Sequence, residues 1–121
     1  MSMEKDENIE ERIAGEILVD ACNAEEQAMN WFYYLQDILV FPFKAKCITK
    51  RNTSPIKVEQ IVEAIGMADE EDCTHEMFVE IYYADDVLSI PLAQIKPLEV
   101  DDKMQQAVSD WHYWANHGYD L

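Results

Sequence analysis

An α+β fold is what the hydrophobic patterning of this chain predicts. Apolar residues recur at helical spacing at both ends, and they alternate with a period of two through the middle. Tight turn signals separate the alternating runs. The 121 residues fit one domain, 1–121, with a helical part over 4–37, a barrel over 40–99 and a C-terminal helix over 101–118.

The first helix rests on Ile9, Ile13 and Ile17, four residues apart, with Glu10, Glu11 and Arg12 on the other side. A break follows near Asn23. Asn23 and Glu26 form an N-x-x-E pattern, close to a capping box, and Glu25 and Glu26 suit the positive end of a helix dipole. Ala28, Met29, Trp31, Phe32 and Leu35 supply the apolar face of a second helix. It should end near Asp37, because "ILVFPF" turns to β-branched and aromatic residues with a proline.

In "FKAKCI", Phe43, Ala45 and Cys47 alternate with Lys44 and Lys46, the period of a strand. "NTSP" is a turn cluster. "IKVEQIVEAIGM" is ambiguous by period, but Gly66 and its β-branched content favour a bent strand, and "MFVEIYY" is a strand alternating Met77, Val79, Ile81 and Tyr83 against Phe78, Glu80 and Tyr82. "ADD" is a hairpin turn. "VLSIPLAQIKPLE" carries two prolines, so it predicts a strand that kinks into a short helical turn and then an edge strand. Five short strands with tight connections predict a small SH3-like β-barrel flanked by N-terminal helices and a C-terminal helix. That last helix would be capped by Asp101 or Asp102 and stopped at Gly118. Its core stripe is Met104, Ala107, Val108, Trp111, Trp114 and Ala115.

Charge limits the function classes. There are 25 acids against 9 bases, a net charge of −16. Such a field repels nucleic acid and anionic membranes, and it attracts cations and basic proteins. Cys22, Cys47 and Cys73 are an odd set without C-x-x-C spacing, which points to reduced thiols in a cytoplasmic protein. The acidic start "MSMEKDENIEERI" is no signal or transit peptide, and no stretch reaches the roughly 18 apolar residues of a membrane span. Nothing resembles a nucleophile motif or a phosphate loop, so no enzyme is expected.

The chemistry concentrates in "ADEEDCTHE", residues 68–76, with five carboxylates, a cysteine and a histidine. Zinc would use Cys73 and His75, but structural zinc needs paired knuckles. The remaining pair, His112 and His117, would point about 140° apart on a helix. An EF-hand counted from Asp69 puts Thr74 where glycine is required and the soft thiol of Cys73 at a ligand position. Two readings survive: a solvated acidic loop, or a calcium site outside the EF-hand class. In the second, Asp69, Glu70, Glu71, Asp72 and Glu76 offer oxygens and another segment completes the shell. Asp37 is the candidate helper. It sits near a helix C-terminus, where its charge is unfavourable unless a cation offsets it; a turn aspartate bonding nearby amides is the alternative.

The stretches "EERIAGEI", "FPFKAKC", "HEMFVEI", "IPLAQ" and "DWHYWANHGY" together resemble the cyanobacterial calcium-binding family, acidic cytoplasmic proteins tied to calcium sequestration during heterocyst differentiation. The resemblance spans nearly the whole chain. It implies an SH3-like barrel flanked by helices, calcium as the bound ion at non-EF-hand sites, and Asp37 as a residue important for calcium. Together with the loop acids read from the sequence itself, the expected metal residues are Asp37, Asp69, Glu70, Glu71, Asp72 and Glu76. The expected partners are calcium ions bound by a monomer, with no nucleic acid and no membrane. An acidic interaction module that binds a basic protein partner is the rival reading.

Overall fold

Isoleucines Ile13 and Ile17 anchor the start of the chain, both buried, with Ile9 half-buried beside them. They lie on a helix, α1 (Glu7–Arg12), that widens at once into a π-helical turn (Ile13–Ile17), closed by a bond of 2.8 Å from Leu18 N to Ile13 O. The computed structural model describes residues 7–116 apart from 20, 22 and 53. The expected helix start at 4–6, Cys22, His117 and Gly118 lie outside the described residues.

The second helix, α2 (Ala24–Ile38), begins where the N-x-x-E pattern places it. Asn23 Oδ1 accepts from Glu26 N at 2.9 Å, satisfying one of the free amides of the first turn. Ala28, Trp31, Phe32 and Leu35 are buried. The helix ends one residue past Asp37.

Five strands follow: β1 (Phe43–Cys47), β2 (Ile61–Met67), β3 (Phe78–Tyr83), β4 (Asp86–Pro91) and β5 (Ile95–Leu98). They form one antiparallel sheet in the order β4-β3-β2-β1-β5. The expected strand over "IKVEQIVEAIGM" is shorter than its β-branched content suggests. Its first half is a polar turn instead: Gln60 N donates to Lys57 O at 3.0 Å, the Gln60 side chain accepts from Lys57 N at 3.0 Å, and Glu59 takes φ 76°. The predicted bend is a bulge, with the β2 register against β3 slipping between Ala64 and Gly66. The β3–β4 hairpin turns at Ala84 and Asp85, both at positive φ (50° and 65°), as a two-residue turn matched to the strand twist requires.

Chain length forces the sheet to curl. β4 and β5 are its outer strands, and laid flat they would lie about 19 Å apart at roughly 4.8 Å per strand. The chain covers that gap in four steps, from Pro91 to Ile95, with a 3-10 turn (Leu92–Gln94) between. Four residues reach at most about 14 Å. The edges must therefore approach each other, and the sheet is an SH3-like barrel. Pro97 is tolerated in β5 because, among the described residues, that strand pairs only with β1.

The last helix, α3 (Asp102–Asn116), is capped by Asp101, whose Oδ1 accepts from Met104 N at 2.8 Å. Met104, Ala107, Val108 and Trp111 are buried, and Trp114 and Ala115 half-buried. The stripe packs on α2 through Trp31 and Trp111, whose rings meet edge to face at 5.1 Å. It also packs on the 3-10 turn and β5. Arg12 ties α1 to α3: its Nε donates to Asp110 Oδ2 at 3.0 Å and its Nη2 to Oδ1 at 2.6 Å. No described helix is long and apolar enough to cross a membrane.

Candidate metal centre

The segment 68–76 bridges β2 and β3. Its middle is a 3-10 turn, Glu70–Cys73, with Asp69 in extended backbone at its start. Asp72 N donates to Asp69 O at 2.9 Å, which closes the turn. Cys73 faces inward and is buried, so Asp69, Glu70, Glu71 and Asp72 are left exposed to solvent. One inward hydrophobe thus holds a rim of four carboxylates outward.

The turn packs against α2. Tyr33 makes the link: its hydroxyl donates to Glu70 Oε1 at 2.7 Å. That hydrogen bond is the main reason the Tyr33 phenol is pushed above its ordinary range. Asp37 lies four residues after Tyr33, on the same face of α2 one turn on, and it is exposed. The last turn of α2 contains no basic residue. Asp37 therefore adds a full negative charge to the negative end of the helix dipole, beside carbonyls that lack intrahelical donors. The three features together favour a cation.

The soft donors are unsuited to a metal. Burial pushes the Cys73 thiol up, and Asp72 and Asp69 push it the same way, while the Phe78 amide opposes them. Sγ sits 3.4 Å from Phe78 N, a structural contact. A thiol kept protonated is a poor ligand for zinc. Cys47 is also buried, with its thiol donating to Thr49 O at 3.1 Å. His112 is on α3, with Nε2 3.2 Å from Leu92 O. At Thr74 the backbone is right-handed, φ −78° and ψ −22°, and Glu80 lies within β3.

Glu76 differs from the other loop acids. It is half-buried, and both of its oxygens face Arg51: Nη1 donates to Oε1 at 3.2 Å and Nη2 to Oε2 at 2.7 Å. Among the described residues, no three His, Cys, Asp or Glu side chains converge on a common point. Asp69, Glu70, Glu71 and Asp72 face solvent together along one turn, and the donors they offer are all oxygens, the set suited to a hard cation. Reading the sequence missed two residues that organise this rim, Tyr33 and Arg51. The four-residue spacing from Tyr33 to Asp37 was a usable signal. Arg51 gave none, because its partner lies 25 residues away.

The chain matches the CcbP family, described as calcium binding, over residues 11–115. It is similar to the crystal structure of Anabaena CcbP, with 44% identity, a TM-score of 0.86, and coverage of 99% of this chain and 98% of that one. It is similar, too, to a calcium binding protein in the calcium-binding form, at 42% identity and a TM-score of 0.85, covering 97% of this chain and 96% of that one. No curated protein matches.

Proposed function

This chain belongs to the CcbP calcium-binding family, and from that premise we propose that it buffers free calcium in the cytoplasm through an acidic rim rather than an EF-hand. The ligand-bearing residues are Asp37 at the end of α2 and Asp69, Glu70, Glu71 and Asp72 across from it. Glu76 joins them only when Arg51 lets go.

The bond from Tyr33 to Glu70 carries this reading. It docks the acidic turn on the helix face that bears Asp37, so acids more than thirty residues apart in sequence share one side of the molecule. Calcium accepts six to eight oxygens in flexible geometry, and carbonyls and water can complete what a few carboxylates begin. The ion would also relieve the self-repulsion of a chain at −16. Two described cysteines, Cys47 and Cys73, are free and buried, in keeping with a reducing compartment.

Calorimetric titration of the chelator-treated protein with calcium tests the reading, alongside Asp37→Asn and Asp72→Asn. Asp37→Asn keeps the shape of the side chain and removes its charge. It should weaken binding at least about tenfold, the scale of one lost charged ligand. Equal affinity and stoichiometry in wild type and Asp37→Asn would remove Asp37 from the site. Calcium should also raise the melting temperature, since at a hundred times Kd it adds about 2.7 kcal/mol of stability. A melting curve indifferent to calcium would end the proposal.

A further inference from the structure

One carboxylate of the acidic segment already holds a cation. Arg51 and Glu76 meet fork to fork, at 2.7 and 3.2 Å. Arg51 reaches in from the loop between β1 and β2, within a run, residues 38–58, that contains no acid. Calcium and a guanidinium want the same two oxygens, and neither leaves room for the other. A bidentate arginine uses the lone pairs that a bidentate metal carboxylate would use.

Exposure decides which cation can yield. The Arg51 side chain is 37% exposed and Glu76 25%, so water reaches both. A pair of this kind contributes little, because each group is well solvated when apart. A divalent ion carries twice the charge of the guanidinium. A released Arg51 returns to water without leaving a buried charge behind.

We propose that Arg51 is a resident competitor for calcium. Binding of calcium at the acidic rim displaces Arg51 from Glu76, Glu76 then turns to the ion, and this exchange sets the affinity. The inference rests on the calcium reading above and identifies the residue that tunes it. Arg51 acts through Glu76 and touches no ion itself.

A double-mutant cycle read by calcium calorimetry tests it, using wild type, Arg51→Gln, Glu76→Gln and the double variant. Arg51→Gln should tighten binding up to about fivefold, the equivalent of losing a competitor worth 1 kcal/mol. In the Glu76→Gln background the same change should do nothing. Lys57→Gln removes the same charge from an exposed lysine of the same loop and reports the general field effect. Arg51→Lys keeps the charge but loses the fork, so it should fall between wild type and Arg51→Gln; it also serves should Arg51→Gln fail to fold. Guanidinium resonances of Arg51, followed by NMR in the unmutated protein, should lose their hydrogen-bonded shift as calcium is added.

The outcomes separate the two ideas. Wild type that binds no calcium overturns the calcium reading, and this inference with it. Wild type that binds, with Arg51→Gln no tighter than Lys57→Gln, overturns the competitor alone. So does a gain from Arg51→Gln that persists when Glu76 is glutamine, or an Arg51 resonance unmoved by calcium.

Discussion

Arg12 with Asp110 and Arg51 with Glu76 use the same fork, two donors against two oxygens, yet they do different work. Asp110 is 1% exposed, and Arg12, at 28%, covers it across the joint between α1 and α3. Glu76, in the acidic segment, and Arg51 are both reached by water. Burial makes the first pair a fixed part of the fold, since an unpaired Asp110 would be a charge in the core. Exposure makes the second pair exchangeable. The location of a salt bridge therefore says more about its role than its geometry, which is equally good in both.

The largest expected effect tests that contrast directly. Arg12→Met should destabilise the protein by about 3 kcal/mol, because it strands a buried carboxylate. Arg51→Gln should cost less than about 1 kcal/mol. Urea unfolding of the two variants measures both. Equal losses would mean that Arg51 is as structural as Arg12, and the competitor role would lose its physical basis.

The same distinction explains what could be seen in the sequence. Local patterns carried through: the isoleucine spacing, the Asn23 cap, the strand alternation and the tryptophan stripe of α3 each depend on residues within a few positions. The acidic segment was legible as a cluster, and Cys73 as an unsuitable ligand. What local pattern could not supply was pairing across the chain. Glu76 looked equal to its neighbours until Arg51 claimed it. The wide turn at Ile13–Ile17 and the polar turn at Lys57–Gln60 also escaped, because the four-residue spacing favoured a plain helix in the first and β-branched content a long strand in the second. In the second case side-chain bonding to nearby amides overrode β-branched propensity.

A smaller effect sharpens the picture of the rim. Tyr33 and Arg51 both contact its acids, but with opposite consequences. Tyr33 is neutral, and its bond to one oxygen of Glu70 ties the acidic turn to the helix that bears Asp37. Tyr33→Phe should weaken calcium binding about threefold, the scale of one modest hydrogen bond. Arg51→Gln should strengthen it. Calorimetry on the pair gives shifts of opposite sign if one residue positions the rim and the other competes for it. Shifts of the same sign would reduce both to general effects on the loop.

The smallest effect lies away from the rim, where α3 meets the 3-10 turn before β5. His112 follows Asp110 on α3 and meets the carbonyl of Leu92. Burial holds its pKa below the ordinary value of 6.5, against the backbone contacts with Leu92 and Ile95 that raise it. The unfolded chain therefore takes up a proton first as pH falls. Stability is undiminished above about pH 6.5, declines below it, and levels once the folded state is protonated as well. Urea midpoints at about pH 7.5 and about pH 5.5 should drop more for wild type than for His112→Gln, with a difference under about 1 kcal/mol. Calcium affinity should be the same in the two proteins at either pH, because His112 faces the 3-10 turn beside β5 and not the acidic rim. A calcium affinity that followed His112 would couple the two regions, and the separation between packed fold and exchangeable rim would fail.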